Sequence, residues 1–306
     1  MRRPLLPVLM LGALGLAASS GMGCAPAFHG SSPPGAPAGS TFASVDRVPV
    51  RYQSVGQGPA VVLVHGYGSS LDIWERVAAR LSKKHRVISV DLKGFGFTGR
   101  PSGDYSPSAQ AAMVWKLLDQ LAVKDVAIVG HSWGSSVVMA MALAKPSRVR
   151  RIALYSAYVY EAQVPSFFRW ARKAGVGEVL FRLFYKERIE DRVMLAYYDK
   201  RWITQARIDR IQREMKRPGT VAGALAAARG QRYSHVEKRY RTVRVPALLL
   251  WGENDRVTPL GFGRRLASDL PDSRLVTYPR CGHLPMVEAF SQTTRDLAGF
   301  LAEDIK

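Results

Sequence analysis

Cysteine is almost absent from this 306-residue chain: only Cys24 and Cys281 are present. Two cysteines build neither a disulfide framework nor a cysteine-rich zinc site. Acidic residues are also scarce, with 24 Asp+Glu against 44 Lys+Arg and a formal net charge of +20. No apolar run reaches the roughly 20 residues that a membrane-spanning helix needs. No internal repeat is visible, and no nucleic-acid-binding motif accompanies the basic surplus, whose residues are scattered along the chain. What is abundant is apolar material, 47% of the residues. That excludes wholesale disorder and permits a large buried core. The basic surplus favours anionic partners, phospholipid headgroups among them.

The first forty residues read as an address followed by a spacer. Arg2 and Arg3 precede an uncharged apolar stretch from Leu5 to Ala18. It is too short to span a bilayer and suits the core of a signal peptide. Small residues then lead to Cys24. This resembles a bacterial lipoprotein signal, in which a small residue precedes a cysteine that is lipidated and becomes the new N-terminus. The resemblance implies a signal peptide over 1–23, lipidation at Cys24 with acyl chains such as palmitate, and an exported, membrane-anchored protein facing the periplasm. Cleavage by an ordinary signal peptidase, giving a secreted soluble protein, is the alternative. Residues 24–44 are rich in Pro, Gly, Ala and Ser and are expected to form a flexible tether.

From Val45 onward, short β-branched runs alternate with amphipathic helical patterns. Ala60 to Val64 is a continuous apolar run, as expected for a parallel strand buried on both faces. Arg86–Val90, Asp125–Val129, Ile152–Tyr155, Ala247–Trp251 and Arg274–Tyr278 are further expected strands. Such alternation predicts an α/β fold with a doubly wound, mostly parallel sheet. Between Ser156 and Val245 the alternation stops and the pattern is helical throughout. This segment, 156–245, holds 20 basic and 9 acidic residues and reads as a cap inserted into a core made of 45–155 and 246–306. Its apolar stripes, Val176, Val179, Leu180, Leu183 and Phe184 on one helix and Ile208, Ile211 and Met215 on another, are expected to be core or cap-to-body contacts.

Three expected strand ends carry residues able to do chemistry. Gly130-His131-Ser132-Trp133-Gly134 follows a strand and precedes a helix, the context in which G-x-S-x-G lifts a serine hydroxyl above a sheet. A serine needs a base within hydrogen-bond reach, and His283 lies on the loop after the last strand. The base needs an orienting carboxylate. Asp255 stands after the penultimate strand, with Glu253 and Asp119 as rival acids. A developing oxyanion needs fixed donors, for which the backbone N–H groups of Trp133 and of Tyr67, or of Gly66, are placed. His65 and Cys281 are expected to be structural.

These motifs, with His65-Gly66 and Asp91-Leu92-Lys93-Gly94-Phe95-Gly96, resemble the α/β-hydrolase superfamily, including the chain order Ser, Asp, His. The resemblance implies the α/β-hydrolase fold with a helical cap. It also implies a serine hydrolase acting through an acyl-enzyme on an ester, thioester or amide of a small-molecule or lipid substrate, in the manner of carboxylesterases and lipases. A carbon–carbon bond hydrolase and a noncatalytic ligand-binding or signalling protein are the alternatives. Relatives with Trp after the nucleophile include enzymes with a nucleophilic Asp; Ser at position 132 disfavours their reactions. No metal or other cofactor is expected, nor a nucleic-acid partner. The chain is expected to be a monomer, with the membrane reached through Cys24 and the basic surface.

Overall fold

The computed structural model describes residues 25–187 and 189–303. The described residues form one eight-stranded sheet from β1 (Thr41–Val45), β2 (Val48–Val55), β3 (Ala60–Val64), β4 (Arg86–Val90), β5 (Val126–His131), β6 (Val149–Tyr155), β7 (Ala247–Gly252) and β8 (Ser273–Tyr278). The spatial order is β1-β2-β4-β3-β5-β6-β7-β8. β1 with β2 and β2 with β4 are antiparallel; all the other pairs are parallel.

Side chains alternate across the sheet with period two, and both faces are covered. Val62 and Val64 of β3 pack with Val114, Leu117, Val137 and Val138 from the helices Pro107–Gln120 and Trp133–Ala144. Val61 and Leu63 pack on the other side with Val77, Leu81, Leu297 and Phe300 from Glu75–Leu81 and Phe290–Ala302. This two-sided burial is why the strand reads as an unbroken apolar run. Each such side chain contributes about 1.5–3 kcal/mol by leaving water.

Leaving β3, the chain pairs first to one side, with β4, and later to the other, with β5. The helices that follow β3 and β5 leave on opposite faces of the sheet, and the loops after the two strands meet at its carboxyl end. The segment between β6 and β7 lies over this end of the sheet. It contains helices Ser166–Ala171, Val176–Phe184, Ile189–Ala196, Gln205–Lys216 and Thr220–Gly230, and no strand among the described residues.

Two expectations need correction. Residues 24–44 are not simply a free tether. His29 and Arg100 exchange backbone hydrogen bonds of 2.8 and 2.6 Å, Ser32 Oγ donates to the Phe97 carbonyl, and Thr41–Val45 is an edge strand on β2. A Pro- and Gly-rich segment cannot build its own core, but its peptide groups can pair with a preformed edge. Nor is the stripe on Val176–Phe184 core: Val176, Val179, Leu183 and Phe184 are exposed, while Phe181 and Gly177 face inward. The second stripe behaves as expected, with Ile208 buried and Ile211 and Met215 packed on core clusters. Cys24 lies outside the described residues.

Candidate active site

β5 ends at His131, and the next residue, Ser132, has φ 52° and ψ −125°. This backbone region is costly for a non-glycine residue and is retained only when its surroundings enforce it. The two glycines of the motif make the turn possible. A Cβ on Gly134 would come within 2.3 Å of the His65 carbonyl oxygen, and one on Gly130 within 2.7 Å of Val138 Cγ2. The helix Trp133–Ala144 thus starts closer to β3 than any side chain would allow. The helix begins directly after Ser132, at Trp133. The Trp133 N–H lies in the first turn, whose N–H groups have no acceptor within the helix. The positive end of the helix dipole consequently points at the Ser132 turn.

Asp255 and His283 come together from the loops after β7 and β8. His283 Nδ1 lies 2.9 Å from Asp255 Oδ2. A carboxylate can only accept here, so Nδ1 carries a proton and donates it to Asp255. Asp255 is fixed in turn: Oδ1 accepts the N–H groups of Val257 and Thr258, and Oδ2 accepts the Thr258 hydroxyl at 2.7 Å. Burial opposes the charge on this carboxyl, but the His283 ring and these donors outweigh it and hold Asp255 below its ordinary pKa. Of the rival acids, Glu253 accepts from Thr277 and Asp119 pairs with Arg148.

The Ser132 turn and the His283 loop are joined through the residue before the serine. His131 Nε2 donates to the His283 carbonyl oxygen at 2.9 Å, and the two rings lie 4.8 Å apart between centroids. Burial, reinforced by His283, lowers the pKa of His131 to about 3, so its ring is neutral. Among the described residues Ser132 Oγ makes no hydrogen bond to the His283 ring; such bonds commonly tighten only when substrate binds. Both residues are nearly shut from solvent, at 9% and 6% exposure.

The loop after β3 passes close by. A Cβ on Gly66 would lie 3.1 Å from Ser132 Cβ, which puts the Gly66-Tyr67 backbone beside the serine. The Tyr67 ring meets Trp133, Phe95 and, from the cap, Phe168. Its hydroxyl donates to the cap carbonyl of Ala224 at 2.8 Å. His65 is structural, as expected: Nε2 accepts the Leu92 N–H, Nδ1 meets the Gly66 carbonyl, and burial lowers its pKa. Asp91 closes the neighbouring loop by accepting the N–H groups of Leu71 and Phe97. Cys281 is a buried filler whose thiol burial pushes up in pKa. No metal-binding cluster of His, Cys, Asp or Glu occurs among the described residues.

Several contributors escaped the sequence reading. Thr258 holds Asp255 and touches His283 Nδ1 at 3.2 Å; its place three residues after an Asp in a turn was the available signal. Glu288 accepts the Gly282 N–H and those of Tyr198 and Asp199 in the cap; no motif marks it. A cleft of about 660 Å³ lined by Tyr67, Ser70, Trp202, Arg207, Leu284 and Met286 opens beside the site. A second, of about 650 Å³, lies elsewhere, between Phe28, Tyr105, Glu178 and Tyr233. Ser132 and His283 line neither.

A hydroxyl on a strained turn at a helix N-terminus and an imidazole oriented by a carboxylate can together carry out nucleophilic displacement at a carbonyl. Residues 59–290 match the family model for the alpha/beta hydrolase fold. The chain is 30% identical over 264 residues to a 2-hydroxy-6-oxo-2,4-heptadienoate hydrolase of Pseudomonas putida, covering 82% of this chain and 91% of the relative. It is similar to a variant of the meta-cleavage product hydrolase CumD, with TM-score 0.75, 25% identity and coverage of 87% and 98%. It is also similar to a bacterial membrane phospholipase A, with TM-score 0.70, 25% identity and coverage of 86% and 85%. The fold, the motif matches and these relatives agree: the chain belongs to the α/β-hydrolase family.

Proposed function

We propose that the chain is a serine hydrolase of ester-type bonds in a small-molecule or lipid substrate. Ser132 is the nucleophile, His283 the general base and Asp255 the group that orients it. Ser132 Oγ attacks the carbonyl carbon while its proton passes to His283 Nε2. The N–H groups of Trp133 and Tyr67 receive the oxyanion. Collapse expels the alcohol, thiol or amine, which takes the proton from His283 and leaves an acyl-enzyme. Water then repeats the sequence and releases the acid. The observation that carries this reading is the His283–Asp255 pair at 2.9 Å, tied through His131 to the strained Ser132 turn.

The test is covalent labelling with a fluorophosphonate. The wild type is expected to label and Ser132→Ala not to; an unlabelled wild type would overturn the proposal.

A second reading, hydrolysis of a carbon–carbon bond in an acidic dienone, is favoured by the similarity to the heptadienoate hydrolase. Such an anionic substrate calls for a cation at the site. Around the adjacent cleft, Arg76 lies over Phe290, Arg207 bonds to Tyr197 and Arg210 pairs with Asp72 and Glu214. Their engagement weighs toward the ester reading, with Arg213 the remaining guanidinium of that lining. Parallel assays with nitrophenyl esters of rising chain length and with a 2-hydroxy-6-oxo-dienoate discriminate between the two. Export and anchoring through lipidated Cys24 belong to the same proposal. They are checked by fractionation: Cys24→Ser should move the protein from the membrane to the soluble fraction.

A further inference from the structure

We infer that the outer face of the cap helices Ser166–Ala171 and Val176–Phe184 docks on an anionic phospholipid bilayer. The two helices pack on each other through inward rings, Phe167 and Phe168 against Phe181 at 5.2 and 5.9 Å. The opposite side of Val176–Phe184 presents Val176, Val179 and Leu183 to solvent, with Leu183 56% exposed, and Trp170 on the helix packed against it is 59% exposed. Val176, Val179 and Leu183 recur at i, i+3 and i+7, so they form a continuous row along one helix face. A helix buried on one side and apolar on the other, with an exposed aromatic residue on the helix packed against it, has the makeup of a surface that enters the headgroup–acyl boundary.

Charge selects the occupant. Exposed Arg169 and Lys173 adjoin the row at one end and Lys186 at the other. They belong to a segment with 20 basic and 9 acidic residues, in a chain of net charge +20. Basic side chains beside an apolar face are attracted to anionic headgroups, whereas a second copy of so basic a chain would be repelled.

The course of the N-terminal chain points the same way. Ala25, the first described residue, lines one cleft together with Glu178 of the helix Val176–Phe184. The N-terminal end of the described chain therefore reaches the cleft beside this helix. The face is also close to the candidate site. Phe168 and Tyr185 contact Tyr67 at 5.1 and 6.4 Å between ring centroids, so one aromatic layer separates the bilayer side from the loop beside Ser132.

The experiment uses tryptophan emission of the full chain on vesicles of phosphatidylglycerol and phosphatidylcholine with brominated acyl chains, which quench only on contact. Four of the six tryptophans, Trp74, Trp115, Trp133 and Trp251, are buried, Trp202 is half-buried and Trp170 is exposed. The expected result is a loss of emission that Trp170→Phe removes and that high salt weakens. The double substitution Val179→Asp with Leu183→Asp should also remove it, with near-ultraviolet circular dichroism as the check on folding; should that variant misfold, Trp170→Phe decides alone. The inference is overturned if the chain gives no quenching, whether or not it pellets with the vesicles, or if quenching survives Trp170→Phe. It is equally overturned if the chain is a dimer in solution that the double substitution separates, which would assign the face to a second copy. The catalytically disabled Ser132→Ala chain should be quenched like the wild type, so this inference and the hydrolase proposal fail separately.

Discussion

Glu288 Oε1 accepts the backbone N–H of Gly282 at 2.8 Å, one residue before His283. The other oxygen of the same carboxyl accepts the N–H groups of Tyr198 and Asp199 in the cap, each at 2.9 Å. The His283 N–H in turn donates to the Ala196 carbonyl. One half-buried side chain therefore fixes the loop of the base and the docking of the cap together.

Glu288→Ala leaves three backbone donors without their acceptor. The expected loss of stability is about 3 kcal/mol, since hydrogen bonds to a charged group contribute about 1.5–3 kcal/mol each and water recovers part of them. Misplacement of His283 should also lower kcat, by up to about 10²-fold. Urea unfolding and steady-state kinetics on a short nitrophenyl ester check the two effects; wild-type values in both would deny Glu288 this role.

Asp255→Asn is expected to keep the fold, because Oδ1 continues to accept from Val257 and Thr258. It removes the acceptor that holds the His283 proton on Nδ1. A fall in kcat of about 10⁴-fold is expected, as for the equivalent change in a known triad. A near-normal rate with an unchanged circular dichroism spectrum would place the orienting acid elsewhere.

His131 should link stability to pH. Its folded pKa is lowered to about 3, from an ordinary value of 6.5, by burial first and by His283 second. Between these values the unfolded chain binds a proton that the folded chain refuses. Stability is thus fully present above about pH 6.5 and declines as pH falls toward 3, at up to about 1.4 kcal/mol per pH unit. Urea titrations at pH 4, 5, 6 and 7 measure the slope, and His131→Gln should flatten it. An unaltered slope in that variant would assign the linkage to other groups, buried His65 first among them.

Gly134→Ala should be strongly destabilising. The new Cβ would meet two backbone oxygens, of His65 at 2.3 Å and of Val64 at 2.6 Å, and neither can move without displacing β3. A cost at the upper end of the about 1–3 kcal/mol typical of overpacking is expected, read as a lower urea midpoint. Gly261, whose Cβ would meet nothing within 4 Å, is the control, and a loss there of similar size would show that crowding is not the cause.

The parallel sheet was legible because burial on both faces leaves an unbroken apolar run in each central strand, Ala60–Val64 being the clearest. Ser132 was legible because its turn requires glycine on both sides, and a local steric demand is written locally. Thr258 and Glu288 were not, since each acts through a single long-range contact that leaves no periodic trace. The edge strand Thr41–Val45 was hidden by the composition of the segment before it. It exists because β2 offers a free edge, a property of the neighbour and not of the segment itself.

The amino-acid sequence by itself determined the alternation of strands and helices, the basic character of the cap and the residue types able to do chemistry, all properties of short stretches of chain. Tertiary structure decided between Asp255, which its place after the penultimate strand favoured, and its rivals Glu253 and Asp119, because packing gives Asp255 the Thr258 donors and the ring. It also decided that the apolar row Val176, Val179 and Leu183 points outward. A stripe at helical spacing states that a helix has an apolar face; whether protein or something else covers that face depends on which side of the helix its neighbours occupy.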